Sequence, residues 1–417
     1  MNRYIKNIYI REVRHLKDIN IPLEKESYPH LMITGKNGSG KTSVLNAIAE
    51  HIGKVVNANI YRNYKESKEN VEDLENQLRK NQRITSIPGK GLTLLQQIGY
   101  NRRLHEDLFD EIIIDFEQAD MLIRKYQEGD FIIAFYEAHR TIKKIKDPKT
   151  PTKPTLRRKS KIKDSLTGQF LNFLSDLKIQ EALARNEKLD TEANQINEWF
   201  VAFERLLGEI FQDKRLKLVF NYKDYSFKIH TTGKEFKFTE MSDGFAAVLD
   251  IVVDLILKMQ DKNQLTRAYE RAGIVLVDEI ETHLHLELQK VIMPLLTSIF
   301  PNIQFIVTTH SPFVLSSLEN AVAFDLERQK IIEDLTEYSY ESLAEGYFGV
   351  RTASSYMEMQ LNRLQELLSR RDLSLSQKSE LKHLISDFDK VPKIVSPLII
   401  GKYLQLRNQY FEKIKVL

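Results

Sequence analysis

The stretch Gly35-Lys36-Asn37-Gly38-Ser39-Gly40-Lys41-Thr42 constrains this chain more than any other. It satisfies G-x-x-x-x-G-K-[ST]. The apolar run Leu31-Met32-Ile33 leads into it, and Val44, Leu45, Ala47, Ile48 and Ile52 follow at helical spacing. A strand, a glycine loop and a helix in that order turn consecutive backbone N–H groups onto phosphate oxygens, backed by the positive end of the helix. In such a loop Lys41 reaches the β- and γ-phosphates of a nucleotide and the Thr42 hydroxyl coordinates Mg²⁺, with Ser43 completing the binding set. The context predicts an α/β fold.

A second stretch supplies what the loop lacks. Ile274-Val275-Leu276-Val277 reads as a buried parallel strand, so Asp278 falls at its carboxyl end, where ligands of open α/β sheets sit. Asp278 is placed to hold Mg²⁺, and Glu279 to lie against an attacking water as general base. Ile303 to Val307 predicts a neighbouring buried strand, followed through Thr308 and Thr309 by His310, a candidate reporter of the γ-phosphate. The hairpin-like alternation from Leu216 to Phe238 leads into Met241-Ser242-Asp243-Gly244 and then an apolar helix.

In this order the motifs resemble the ABC-type ATPases, in particular the RecF/SMC/OLD-like branch. The resemblance covers residues 1–60 and about 216–326. It implies a Walker A loop at Gly35–Thr42, Walker B at Asp278-Glu279 and a switch histidine at His310. It also implies that Ser242 and Gly244 act as a signature that binds the γ-phosphate of a nucleotide held by another protomer, so that ATP is sandwiched in a head-to-head homodimer or larger homo-oligomer. Glu281-Thr282-His283-Leu284-His285 resembles the Glu-x-x-Leu-His segment of the OLD-like branch, with Ile280 where a proline is usual. His283 and His285 lack a third metal ligand in the sequence. The Gln-containing loop of such ATPases has two candidates, Gln118 and the turn Glu137-Ala138-His139-Arg140.

The resemblance organises the chain as an ATPase head split between 1–60 and 216–330, a largely helical insertion at 61–215 and a helical extension at 331–417. The aromatic stripe Trp199, Phe200 and Phe203 reads as core. Residues 141–163 carry ten Lys or Arg, one Asp and three Pro. This basic loop reads either as a nucleic-acid contact or as a solvated insertion, and it has no aromatic residue for base stacking. Compact heads without a long coiled coil resemble the ATPase subunits of bacterial anti-phage modules of the Septu, retron and PARIS kinds. The implied role is to sense infection and control a separately encoded effector, commonly a nuclease. The alternatives are a RecF-like DNA-repair ATPase and a self-contained nuclease. The latter would use Glu345-Gly346 and Asp387-Phe388-Asp389, strings that stand outside the apolar strands such a nuclease needs.

Composition narrows the classes further. The chain has no cysteine, which excludes disulfides, thiolate metal sites and cysteine nucleophiles. Its net charge of +3 gives no global polycation, so any basic footprint is local. The N-terminus is charged from Arg3 and lacks the apolar core of a secretory signal, and Ala246–Met259 carries Asp250 and Asp254 and falls short of a membrane span. The expectation is a soluble cytoplasmic protein.

Overall fold

The computed structural model describes residues 4–23, 30–80, 96–98, 111–138, 152, 154, 160–260, 270–332, 355–391 and 397–415. Most of the basic loop lies outside these residues, as do His139, Arg140, Glu345 and Gly346. The chain divides into two compact units, Met1–Tyr338 and Ser339–Leu417.

The first unit opens with β1 (Ile5–Val13) and β2 (Leu16–Pro22), a hairpin whose isoleucines are all buried while polar residues take the outward positions. Next come β3 (His30–Thr34), α1 (Lys41–Val55), α2 (Ala58–Lys80), β4 (Ile112–Phe116), α3 (Ala119–Glu128) and β5 (Phe131–Tyr136). Two helices, α4 (Phe170–Asn186) and α5 (Asp190–Ile210), precede the meander β6 (Lys217–Asn221), β7 (Ser226–Thr231) and β8 (Lys234–Lys237). The unit then runs through α6 (Asp243–Met259), β9 (Ala272–Val277), α7 (Leu286–Ile299), β10 (Ile303–Thr308), α8 (Pro312–Leu315), β11 (Ala321–Asp325) and β12 (Lys330–Ile332).

The central sheet has the order β12-β11-β3-β10-β9-β5, parallel throughout except for β12 at its edge. Every residue of β3, β5 and β10 is buried. That suits apolar runs in a parallel sheet covered on both faces. Parallel pairing sets the carboxyl ends of β3, β10 and β9 side by side, so Thr34, Thr308 and Asp278 share one edge.

The stretch 61–215 is mostly helical among its described residues, but it also supplies two strands of the head. β4 pairs with β1 in a second sheet, and β5 pairs with β9 in the central one. The sequence FIIAFY is buried at all six positions although β5 is the last strand of the sheet, because both faces are covered and Phe135 N–H on its outer side donates to the Ile162 carbonyl. The aromatic stripe is core as expected: Trp199 stacks on Phe203 and meets Phe173 edge-on, each at 5.3 Å between centroids.

Helix α6 is buried on nearly all sides and carries an ion pair inside the core. Lys258 Nζ lies 2.6 Å from Asp254 Oδ2, with side chains 3% and 0% exposed. The Tyr136 hydroxyl and the Leu166 N–H donate to the same carboxylate at 2.6 and 2.5 Å. Buried ion pairs survive only when such additional bonds saturate them. Here they pin α6 to the end of β5.

The second unit contains α9 (Ser355–Ser369), α10 (Leu375–Lys390), α11 (Pro397–Gln409) and α12 (Phe411–Lys415) around its own core of Leu364, Leu367, Leu381, Phe388 and Tyr403. Asp389, a candidate in the nuclease alternative, accepts the Tyr403 hydroxyl at 2.7 Å and Arg407 Nη1 at 2.5 Å, so it joins α10 to α11. No group of three or more His, Asp or Glu able to hold a metal occurs among the described residues. None of the described helices is long and apolar enough to cross a membrane.

Two buried histidines make stability depend on pH. Phe305 N–H donates to His30 Nδ1 at 3.1 Å, which only an unprotonated nitrogen accepts, and His51 Nδ1 lies 2.8 Å from the Ile112 carbonyl. Burial lowers both imidazoles from 6.5 to about 4. Between those values the unfolded chain binds more protons than the folded one, so stability is full above pH 6.5 and falls as pH drops toward 4. The loss reaches about 3 kcal/mol per histidine. Urea unfolding at pH 7 and pH 5 should register a decrease, and His51→Asn should reduce its slope; a slope that ignores the substitution would remove His51 from the account.

Candidate nucleotide site

The loop between β3 and α1 is shaped by glycines. Gly35, Gly38 and Gly40 hold φ of 143°, 83° and 97°. At Gly40 the positive φ itself favours glycine, and a Cβ there would also press the Leu16 side chain at the start of β2, 2.9 Å from its Cδ1. Helix α1 begins at Lys41 with no side-chain cap and no acidic residue in its first turn. Its first N–H groups and its positive end are therefore left facing the loop.

Lys41 is 6% exposed, and its ammonium donates to the carbonyls of Gly35 and Lys36 at 3.0 and 3.1 Å. Burial lowers its pKa, while Glu279, Glu281 and Asp278 act in the opposite sense. Lys36 points outward to Glu327 at 2.8 Å. Asn37 and Thr42 are exposed, and Ser43 is half-buried in the first turn of α1. The hydroxyls of Ser39 and Thr34 are buried with no hydrogen-bond partner. Orphaned hydroxyls beside a cradle of N–H groups and a buried ammonium fit a polyphosphate and its Mg²⁺.

The carboxylates gather at the adjoining strand ends. Asp278 is 1% exposed, and its N–H donates to the Tyr136 carbonyl at 2.8 Å. The Thr308 hydroxyl donates to Asp278 Oδ1 at 2.5 Å and accepts the Glu279 N–H at 2.7 Å. Glu279 takes a left-handed backbone, φ 45°, and its Oε2 accepts the Thr282 hydroxyl at 3.2 Å. Such a conformation costs a non-glycine residue about 1–2 kcal/mol. His310 is half-buried, and its N–H donates to Glu281 Oε1 at 2.5 Å. Burial, then the Lys41 charge, lower its pKa against the opposing pull of Glu279 and Asp278, which favours the neutral imidazole. Burial raises Glu281, against the hydrogen bond from His310.

Lys41, Asp278, Glu279 and His310 therefore share one electrostatic neighbourhood. Ser242 and Gly244 open α6 against the 279–285 turn. Ser242 is exposed and its side chain does not cap its own helix. A Cβ at Gly244 would stand 2.9 Å from the His283 carbonyl oxygen. Of the two candidates for the Gln-containing loop, Gln118 follows β4 in the other sheet, while Glu137 follows β5 directly beside β9. Motif reading passed over Thr308, because a threonine ending an apolar strand looks like any other strand residue.

Lys41→Ala removes the only buried cation in the Gly35–Thr42 loop. It should weaken Mg-ATP binding by about a hundredfold or more, the scale of about 3 kcal/mol for a charge-assisted contact. Titration with a fluorescent ATP analogue checks this, and near-normal affinity would refute the role of the loop.

Residues 117–316 match the family described as "AAA domain, putative AbiEii toxin, Type IV TA system". The chain is 24% identical over 98% of its length to the Septu protein PtuA of Bacillus mycoides (strain KBAB4), and spans 54% of that protein. It is 23% identical over 75% of its length to "Retron Vc95 probable ATPase" of Vibrio cholerae serotype O1 biovar El Tor, covering 70% of it. Among solved structures, the Smc head bound to the C-winged helix domain of ScpA aligns over 81% of this chain and 100% of its own, at 14% identity and a TM-score of 0.41. The likeness to the Septu protein and the retron probable ATPase thus extends well beyond the motifs themselves.

Proposed function

We propose that the chain binds and hydrolyses Mg-ATP at a site completed by a second copy, and that it serves as the sensor subunit of an anti-phage defence module. The observation that carries the ATPase reading is the convergence of the buried Lys41 ammonium with Asp278, Glu279 and His310 at one sheet edge. Lys41 and the loop N–H groups hold the phosphates. Glu279 orients the attacking water and takes its proton as oxygen bonds to the γ-phosphorus and the bridge to the β-phosphate breaks. His310 donates a ring N–H to a γ-phosphate oxygen. Thr42 and Asp278 would hold Mg²⁺, which supplies charge neutralisation to the phosphates. Ser242 and Gly244 of the second copy close the site from outside, with the positive end of α6 behind them.

The defence role rests on the relatives. The Septu match spans nearly the whole chain, and the retron match is named a probable ATPase. In this reading the effector is a separate polypeptide, a nuclease, licensed by the closed ATP-bound dimer. The engagement of Asp389 with Tyr403 and Arg407 favours a separate effector over a nuclease in this chain. The basic stretch 141–163 remains a proposed nucleic-acid contact, to be read from the salt dependence of binding.

Replacing the base while keeping phosphate binding should trap the closed state. Glu279→Gln, purified with its neighbouring gene products, should shift on Mg-ATP from 48.7 kDa to at least twice that mass and carry a second polypeptide. A particle whose mass ignores ATP would sink the reading. Mixing Lys41→Ala with Ser242→Arg protomers should restore ATPase at one composite site per dimer; a mixture as inactive as its parents would argue against catalysis in trans.

A further inference from the structure

The turn between β9 and α7 is strained at two non-glycine positions. Glu279 and His283 hold φ of 45° and 70°. Such backbone persists where its surroundings over-determine it, and two side chains do so here. Glu281 Oε1 accepts the His310 N–H at 2.5 Å. From the first turn of α7, Gln289 Oε1 accepts the Ser311 hydroxyl at 2.7 Å while Gln289 Nε2 donates to the Leu284 carbonyl at 2.8 Å. Residues 281 and 284 are thus both strapped to positions 310 and 311 beyond β10. The same turn presses on α6: the His283 carbonyl oxygen would stand 2.9 Å from a Cβ at Gly244, and the His285 ring meets Phe245 edge-on at 5.9 Å.

We propose that Glu281 and Gln289 are positioning residues that make the His310 segment and the start of α6 move as one body. This inference rests on the nucleotide reading above and adds the route by which γ-phosphate occupancy reaches the face that meets a second copy. When His310 shifts toward a γ-phosphate, Glu281 follows or gives up a charge-assisted hydrogen bond in a half-buried setting. The turn between Glu281 and Leu284 is closed by its own hydrogen bond, Leu284 N–H to Glu281 O at 2.9 Å, so it moves as a unit. With no slack between His283 and Gly244, that displacement passes to α6 and to Ser242 at its tip. Glutamine at 281 still offers an acceptor to the His310 N–H; alanine offers none.

Hydrogen–deuterium exchange of the full chain with and without Mg-ATP tests this. It is run in a Ser242→Arg background held at a solution mass of 48.7 kDa, so that no second copy covers α6. ATP should slow exchange at 35–43 and 308–311, and also at 281–285 and 244–248. In Glu281→Ala/Gln289→Ala the first two regions should keep their slowing. The last two should lose about tenfold, the effect of one charge-assisted hydrogen bond. Glu281→Gln should keep all four, which separates positioning from general damage to the fold. If the double alanine variant retains slowing at 281–285 and 244–248, or if Glu281→Gln loses as much as Glu281→Ala, the proposal is overturned and the nucleotide reading stands. If ATP slows nothing at 35–43 in the parent, the nucleotide reading fails and takes this proposal with it.

Discussion

The placement of β10 between β3 and β9 is the constraint from which the site follows. Ile306 pairs with Leu31 on one side and Leu276 on the other, so three apolar strands end at the same level. Thr309 N–H then reaches the Ile33 carbonyl and Ile280 N–H the Thr308 carbonyl, at 3.0 and 3.1 Å. The glycine loop at 35–42 lies more than two hundred residues before Asp278, Glu279 and His310. Parallel strands put them on one edge, because strands that run in the same direction bring their carboxyl ends, and the loops that follow, to the same side of the sheet.

Charge is then handled by pairing at each depth. Lys41 is nearly buried, yet it has two backbone carbonyls and three carboxylates around it. Asp278 is more deeply buried, and it has the Thr308 hydroxyl on one oxygen. Within α6, the buried Asp254 and Lys258 satisfy each other together with Tyr136, Leu166 and the Asp164 carbonyl. Tyr136 serves both sites: its hydroxyl reaches Asp254 on α6 and its carbonyl accepts the Asp278 N–H. The helix that opens at Ser242 and Gly244 is therefore referenced to the strand that ends at Asp278. Burial makes each of these bonds costly to break, which gives the arrangement its rigidity.

Much of this was legible in the chain. The glycine loop, the strands ending in Asp278 and before His310, and the meander from Leu216 to Phe238 announce themselves because local patterns determine them: glycines where φ is positive, apolar runs where both faces are covered, alternation where one face is. β11 was not legible, since five residues of mixed character become a strand only by pairing with β3. The membership of β5 in the central sheet could not be read either, because periodicity reports that a strand is buried and not which neighbour buries it. The motif that begins at Glu281 is visible in the chain, but its bond to the His310 N–H is not, because the two lie on different loops.

Local order along the chain sets the chemistry available: a glycine loop before a helix, an acid pair after a buried strand, a histidine after another, and no cysteine. Which of these groups meet depends on the folded arrangement. The Thr308 hydroxyl on Asp278, the His310 N–H on Glu281 and the Gly244 approach to His283 join residues about 30 to 40 positions apart. The physical reason is that side-chain hydrogen bonds and steric contacts depend on positions in space, whereas local spacing encodes only the period of a strand or helix.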